Sequence, residues 1–175
     1  MQTRMSIRPQ ASRVLATRKI DGTSCLLRAG KLYKRYDAKA GKTPPPGFVP
    51  AQEEPDTVTG HWPGWLPVGD GHEDRWHREA LANSGALPDG TYELVGPKVQ
   101  GNAEQLARHL LVPHGGEVLT DVPRDFAGIR AYLADHEIEG IVWWRAPTLQ
   151  DCEKAKIKRK DFKQPWPAKG QTPHT

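Results

Sequence analysis

Short runs rich in apolar residues, separated by Asp21-Gly22 and by the turn Ala29-Gly30, predict β-strands near the start of the chain. Residues 13–17 lead into this pattern, residues 23–27 continue it, and the turn Ala29-Gly30 opens a further run over residues 31–36. Short strands that follow one another this closely predict an antiparallel sheet in the first part of the chain.

After these strands, residues 38–72 form a segment dense in proline and glycine, including the run Pro44-Pro45-Pro46-Gly47. Such a composition disfavours long regular elements. Trp62 and Trp65 lie within it, and a disordered linker rarely carries such large apolar side chains. We therefore predict an ordered but irregular excursion that packs onto the domain.

Apolar residues three and four positions apart predict helices over residues 73–83, 102–111 and 124–136, the second of them capped by Asn102. Their apolar faces consist of Trp76, Ala80 and Leu81 in the first helix, Leu106 and Leu110 in the second, and Phe126, Ile129 and Leu133 in the third.

Further strands are predicted over residues 91–95, 138–145 and 151–160. The order of elements along the chain favours an α+β domain built on antiparallel sheets with flanking helices. We assign this domain to residues 1–163 and expect the proline-rich residues 164–175 to form a flexible tail.

The length of 175 residues suits one compact core. The sequence has no apolar run of the ~20 residues that span a bilayer, and its basic start lacks the apolar segment of a secretory signal. Cys25 and Cys152 are too few for a disulfide scaffold and lack the spacing of a zinc site, so we expect both to be small buried apolar residues. We infer no membrane association and a reducing compartment, either cytosol or nucleus, and take the cytoplasm as the default.

The net charge of +4 hides an uneven distribution. Basic and acidic residues number 11 and 2 in residues 1–42 (+9), 7 and 16 in residues 43–150 (−9), and 7 and 3 in residues 151–175 (+4). If the basic ends meet in the fold, they form a positive surface suited to a polyanion such as a nucleotide or RNA. The alternative is that these charges belong to solvated strand faces without a ligand.

The segment Arg18-Lys19-Ile20-Asp21-Gly22 contains a candidate nucleophile. A lysine can attack when burial or neighbouring cations favour its neutral amine, and Arg18, Lys156 and Lys158 are candidate neighbours of Lys19. Gly22 would let the backbone approach a nucleotide closely. By itself the motif is weak, because a surface lysine before a turn has the same sequence.

Alternate lysines in the last predicted strand share one face of it, about 6.6–7 Å apart, which is a spacing that can bracket a phosphate. A lysine-bearing edge strand that prevents aggregation is the competing interpretation. The lysines concerned are Lys154, Lys156, Lys158 and Lys160.

Glu93 and Glu139 each lie beside apolar strand residues, and a buried carboxylate needs a partner. The pair would hold a divalent cation and the hydroxyls of a ribose, or would form structural salt bridges at the rim of the sheet. Trp143 is expected in the core and Trp144 at its rim. Six of the seven histidines show no metal-ligand spacing and are expected to be structural or exposed; they are His61, His72, His77, His109, His114 and His136.

Together these segments resemble the motifs of the covalent nucleotidyltransferase superfamily, which comprises RNA ligases, DNA ligases and mRNA capping enzymes. The matching segments, in chain order, are Lys19-Ile20-Asp21-Gly22, Tyr92-Glu93-Leu94-Val95-Gly96, Glu139-Gly140-Ile141-Val142 and Lys156-Ile157-Lys158. The resemblance covers roughly residues 13–163 and is specific as a set.

Within that superfamily the chain is most similar to the 5′–3′ RNA ligase family found in animals. DNA ligases and capping enzymes usually carry an arginine five positions after the nucleophile, where this chain has Ser24. The segments that carry the likeness are residues 60–65, 90–102 and 156–162. Arg18 stands where an acid often precedes the nucleophile.

The resemblance implies a nucleotidyltransferase domain of the ATP-grasp-like ligase type and an RNA-repair activity in three steps. Lys19 would attack ATP with Mg²⁺ (or Mn²⁺) bound, the AMP would pass to an RNA 5′-phosphate, and a 3′-hydroxyl would displace it. The implied roles are catalysis by Lys19, Lys156 and Lys158, nucleotide binding by these lysines with Ile20, Arg35, Glu93 and Val142, and metal binding by Glu139 and Glu93.

Two alternatives remain open from the sequence. One is a capping-type guanylyltransferase, which would use GTP. The other is a non-catalytic RNA- or nucleotide-binding module that has kept the sheet and lost the chemistry. The intact set of motif residues argues against the second, because loss of activity usually removes the nucleophile first.

Overall fold

The structure, a computed structural model, describes residues 14–39, 41–145 and 153–166. The strands are β1 Val14–Lys19, β2 Thr23–Arg28, β3 Lys31–Ala38, β4 Val49–Pro50, β5 Trp62–Pro67, β6 Gly90–Val95, β7 Leu110–Pro113, β8 Gly140–Arg145 and β9 Glu153–Lys158. The α-helices are α1 Arg75–Ser84 and α2 Phe126–Asp135, and short 3₁₀ helices cover His72–Asp74, Gln100–Asn102 and Arg159–Phe162. The described chain is therefore a mixed structure of antiparallel sheets and few helices, which is compatible with the predicted α+β class.

The strands form two sheets, and all their pairings are antiparallel. One sheet has three strands in the order β1-β8-β9, and the other has six in the order β4-β5-β3-β2-β6-β7. In the three-stranded sheet, β1 and β9 come from the two basic ends of the chain and flank the same central strand. The basic ends thus meet in the fold, which is the condition on which the predicted positive surface depended.

Each sheet is covered on one face by a helix. Ala80 and Leu81 of α1 pack against a cluster that includes Cys25 and Leu94 of the six-stranded sheet. Ile129 and Leu133 of α2 pack with Ile141, Ile157 and Phe162 under the three-stranded sheet. Because strand side chains alternate, the functional candidates lie on the opposite face of each sheet.

The predicted helix over residues 102–111 is wrong. The chain there makes a 3₁₀ turn followed by a loop, and Leu110 opens strand β7, which pairs with β6. Positive φ angles at Asn102 and Gln105, 55° and 52°, are incompatible with an α-helix. The Asn102 side chain bonds both the backbone N–H and the carbonyl of Leu106, at 3.0 and 3.1 Å, and so stabilises the loop rather than a helix.

The described part of the excursion, residues 38–39 and 41–72, is more regular than predicted. It contributes β4 and all of β5 to the six-stranded sheet. The outer neighbour of β5, strand β4, is only two residues long, so much of β5 is an edge of the sheet. Pro63 and Pro67 are tolerated there because an edge position needs no backbone N–H to pair with a neighbouring strand. Trp62 and Trp65 therefore anchor a strand rather than an irregular loop.

The last strand is shorter than predicted. It ends at Lys158, and Lys160 lies in the following 3₁₀ helix. Arg159 is buried and donates hydrogen bonds to the carbonyls of Leu133, His136 and Pro165. The chain leaves the sheet at this residue. These bonds tie the end of β9 to the helix α2 that covers the sheet.

One smaller expectation also needs correction. Phe126, placed on the apolar face of the third helix, is 66% exposed and makes a ring contact with Phe162. Of the predicted tail, Gln164 and Trp166 form hydrogen bonds with the rest of the protein, and residues 167–175 lie outside the described residues.

Within the described chain, no helix combines the length and the apolar character that crossing a membrane requires.

Substituting Gly140 by alanine is expected to destabilise the three-stranded sheet. A Cβ atom at this position would lie 2.2 Å from the carbonyl oxygen of Ile157, which the backbone can relieve only by moving β8 and β9 apart. We expect the free energy of unfolding in urea to fall by about 1–3 kcal/mol. The matched control is Gly90→Ala, where the nearest atom would be the Tyr92 ring at 3.7 Å; equal effects of both variants would contradict the prediction.

Candidate functional site

The register of the three-stranded sheet aligns the predicted functional residues in rows. Lys19 of β1 and Lys158 of β9 both lie opposite Gly140 of the central strand β8. In the next row, Lys156 lies opposite Val142. Residues directly opposite one another in a sheet point to the same side, so these side chains share one face, and Gly140 places no side chain between the two lysines of its row.

A carboxylate joins the two lysines of the first row. The Lys19 ammonium group donates to Glu139 Oε2 and, at 3.2 Å, to the carbonyl of Ile20. Lys158 Nζ lies 3.3 Å from Glu139 Oε1. The Glu139 side chain is only 8% exposed, and a buried carboxylate is costly unless it is paired. The two lysine ammonium groups supply that pairing.

A cavity of about 370 Å³ opens on one side of Lys19, and we call it the Trp144 cavity. Its size falls within the range of small-molecule sites, about 300–1,000 Å³. The residues lining it from both sheets include Lys19, Ile20, Glu93, His114, Val142 and Trp144. Lys154 and Lys156 also line it. The cavity thus offers apolar walls, cationic groups and one carboxylate.

A second cavity, of about 350 Å³, lies on the other side of Lys19, and we call it the Trp166 cavity. Its lining is mainly polar and includes Lys19, Asp21, Glu139, Lys158, Lys160 and Trp166. The Trp166 indole N–H donates to Asp21 Oδ2 at 2.9 Å. Lys19 lines both cavities and therefore lies at the boundary between a largely apolar and a largely polar compartment.

Two acidic residues, Glu104 and Glu117, hold the segment that carries Lys19. Arg18 forms ion pairs with Glu104 at 2.5 Å and Glu117 at 3.2 Å. The other oxygen of Glu104 accepts a hydrogen bond from the backbone N–H of Asp21 at 3.2 Å. Sequence reasoning missed Glu104, because it lies in the segment that was predicted to be helical and has no motif of its own.

Glu93 lies on β6, on the face opposite its core neighbours Tyr92 and Leu94. It is 9% exposed, and its Oε2 accepts a hydrogen bond from His114 Nε2 at 2.6 Å. Sequence reasoning had assigned His114 no role. The signal that could have identified it is the β6–β7 hairpin, which places the residue after β7 beside the strand that carries Glu93.

The structure brings most of the predicted site residues to Lys19 and leaves one apart. Arg35 of β3 is exposed, lies 5.7 Å from the centre of the Trp65 ring and lines neither cavity.

The burial of Trp143 and Trp144 in β8 is the reverse of what was expected. Trp144 is 5% exposed and donates to Thr17 Oγ1 at 2.7 Å, whereas Trp143 is half-buried against the α2 cluster.

Glu93 and Glu139, the predicted metal ligands, line different cavities. Within the described ranges, no cluster of three or more His, Cys, Asp and Glu side chains suited to a metal is found. Mg²⁺ is commonly held by one or two carboxylates together with substrate phosphates rather than by an all-protein cage. Both carboxylates already have protein partners, Glu139 in Lys19 and Lys158 and Glu93 in His114. Glu139 lines the largely polar Trp166 cavity, whereas Glu93 lines the largely apolar Trp144 cavity, so Glu139 is the better candidate for a metal held together with phosphates.

Cys25 is buried in β2, as predicted, whereas Cys152 lies outside the described residues. Burial, with a further contribution from the negative charge of Glu93, raises the pKa of the Cys25 thiol from its ordinary 9.0 to about 12. The thiolate fraction at neutral pH is then about a thousandfold smaller than in the unfolded chain.

In a Cys152→Ser variant, we therefore expect Cys25 to react with a disulfide reagent at pH 8 at least about 100-fold more slowly than in denaturant. The folded state disfavours the thiolate, so this group's contribution to stability is present below pH 9 and is lost between pH 9 and 12. Reaction of the native protein at the denatured rate would contradict the prediction.

Comparison of the chain with protein-family models and with curated proteins finds no match in either case. A functional proposal for this protein depends on its own residues and their geometry.

Proposed function

We propose that the protein is an ATP-dependent RNA ligase with a nucleotidyltransferase domain, which acts through an AMP group bound covalently to Lys19. The observation that carries the proposal is the position of Lys19. Its amine lies between a largely apolar and a largely polar cavity, bonded to Glu139, and in one strand row with Lys158. A nucleophile that receives a nucleotide needs a site for the base on one side and one for the leaving phosphates on the other.

In the first step, the adenosine of ATP occupies the Trp144 cavity, where Ile20 and Val142 contact the base. The Lys19 ammonium group loses one proton to solvent, because only the neutral amine has a free electron pair. Nζ then attacks the α-phosphorus, an N–P bond forms, and the P–O bond to pyrophosphate breaks. Lys156 and Lys158, on the same face as Lys19, stabilise the charge on the transferring phosphate.

Mg²⁺ would be held by Glu139 together with the nucleotide phosphates, and when bound it offsets phosphate charge. In the second step, an oxygen of an RNA 5′-phosphate attacks the same phosphorus and the N–P bond breaks. In the third, the oxygen of a 3′-hydroxyl attacks that 5′-phosphate and loses its proton to solvent, the P–O bond to AMP breaks, and a phosphodiester forms. The lysines of β1 and β9 provide the positive surface that this polyanionic substrate requires.

Incubation of the protein with α-labelled ATP and Mg²⁺ tests the proposal. We expect label that survives denaturation, is released by acid but not by alkali, as a phosphoramidate requires, and maps to the peptide that contains Lys19. Addition of RNA with 5′-phosphate and 3′-hydroxyl ends should release the label and yield sealed RNA.

The same experiment separates the alternatives. Label from GTP but not from ATP would identify a capping-type guanylyltransferase. Absence of label from either nucleotide, with nucleotide binding retained, would identify a non-catalytic binding module and overturn the proposal. Matched substrates with DNA ends determine whether the acceptor is RNA or DNA.

A further inference from the structure

We propose that His114 is a positioning residue that orients Glu93 for recognition of a ribose hydroxyl in the Trp144 cavity. This inference deepens the proposed function, because it concerns the same nucleotide site. It assigns a role to a side chain that no motif identified, and it separates Glu93 from metal binding.

The first step of the argument is the hydrogen bond itself. A carboxylate can only accept, so the 2.6 Å contact requires the proton to be on Nε2 of His114. The bond occupies Oε2 of Glu93. Among the residues that the structure describes, none donates to Oε1, which therefore remains available as an acceptor.

The second step is the rigidity of the pair. The His114 backbone N–H donates to the Thr91 carbonyl at 3.1 Å, which extends the pairing of β7 with β6 by one residue. Gly115 then turns the chain with φ of 73°. Glu93 itself is fixed within β6, so both partners are held by the same hairpin. The side chain of His114 is only 23% exposed and that of Glu93 only 12%.

The third step is the chemistry of the cavity. Glu93 and His114 line it together with Lys19, Ile20 and Val142. A single fixed carboxylate oxygen beside apolar walls recognises a neutral hydrogen-bond donor, and the donors that a nucleotide presents between its base and its phosphate are the sugar hydroxyls. Phosphate oxygens, which only accept, are served instead by the lysines.

Binding of AMP, 2′-deoxy-AMP and 3′-deoxy-AMP, measured by calorimetry, tests the inference without requiring catalysis. We expect the wild-type protein to bind AMP about 10- to 100-fold more tightly than at least one deoxy analogue, as is typical of a hydrogen bond to a charged group. In His114→Phe, which removes the donor but keeps a ring, the difference should fall to about threefold or less. His114→Gln, whose amide N–H can replace Nε2–H, should restore most of it.

Two further variants show whether His114 acts through Glu93. In a Glu93→Ala background, His114→Phe should cause no additional loss of discrimination. The matched control is His61→Phe, which removes another histidine–carboxylate pair, His61 with Asp37 at 3.1 Å, outside both cavities. The His61→Phe variant should leave the ratio of AMP affinity to deoxy-AMP affinity unchanged.

The inference is overturned if the wild-type protein binds all three nucleotides alike, or if His114→Phe weakens all three by the same factor, as a purely structural pair would. A preference for AMP over a deoxy analogue that is lost in His114→Phe supports the inference, whether or not the covalent label forms. Absence of the label is a failure of the proposed function alone, so the two results are distinguishable.

Discussion

The Lys19→Arg variant is expected to form no covalent nucleotide adduct, a loss of at least about 10³-fold relative to wild type. Arginine keeps the positive charge beside Glu139 and so preserves the ion pair that holds this part of the sheet. Its guanidinium group is not deprotonated in proteins and cannot supply a free electron pair. The variant therefore separates nucleophilic attack from electrostatic binding, which Lys19→Ala would remove together.

The measurement is the amount of denaturation-resistant label from α-labelled ATP at saturating nucleotide, with nucleotide affinity determined in parallel. We expect affinity to change far less than labelling. If Lys19→Arg labels at the wild-type rate, the nucleophile lies elsewhere and the proposed mechanism is wrong.

Replacing Lys158 by methionine is expected to slow adduct formation by about 10²- to 10³-fold, the usual effect of removing one preorganised group that stabilises transition-state charge. Methionine keeps the length and apolar stem of lysine, and Lys158 is 24% exposed, so the sheet should tolerate it. Glu139 retains Lys19 as its partner and is not left unpaired.

Single-turnover labelling separates this effect on the chemical step from an effect on ATP binding, which should be smaller. The matched control is Lys31→Met, a similarly conservative change at an exposed lysine that lines neither cavity. Equal rates for Lys158→Met and wild type would exclude Lys158 from phosphate stabilisation.

The strands that carry the candidate site were accessible from the sequence because their signals are local. Short apolar runs, glycine turns and a run of alternate lysines place β1, β2, β3 and β9 within a few residues of their observed bounds. The meeting of Lys19, Glu139 and Lys158 was expected only from the order of the motifs, because no local signal pairs residues that are 120 positions apart.

The elements that were missed depend on contacts distant in sequence. Leu106 and Leu110 have helical spacing, but pairing with β6 and the left-handed backbone at Gln105 produce a loop and then β7. His114 could not be assigned while β7 was unknown, since its partner Glu93 becomes its neighbour only across that hairpin. In both cases tertiary pairing overrides local preference.

The alternation of β9 gives its pairing with β8 a second consequence. Lys156 and Lys158 face the cavities, while Ile157 between them belongs to the apolar cluster under α2. A slip of one residue would bury ammonium groups beneath the helix and expose the isoleucine. Misaligned chains would therefore be less stable, so the packing beneath the sheet also fixes the spacing of the charged groups above it.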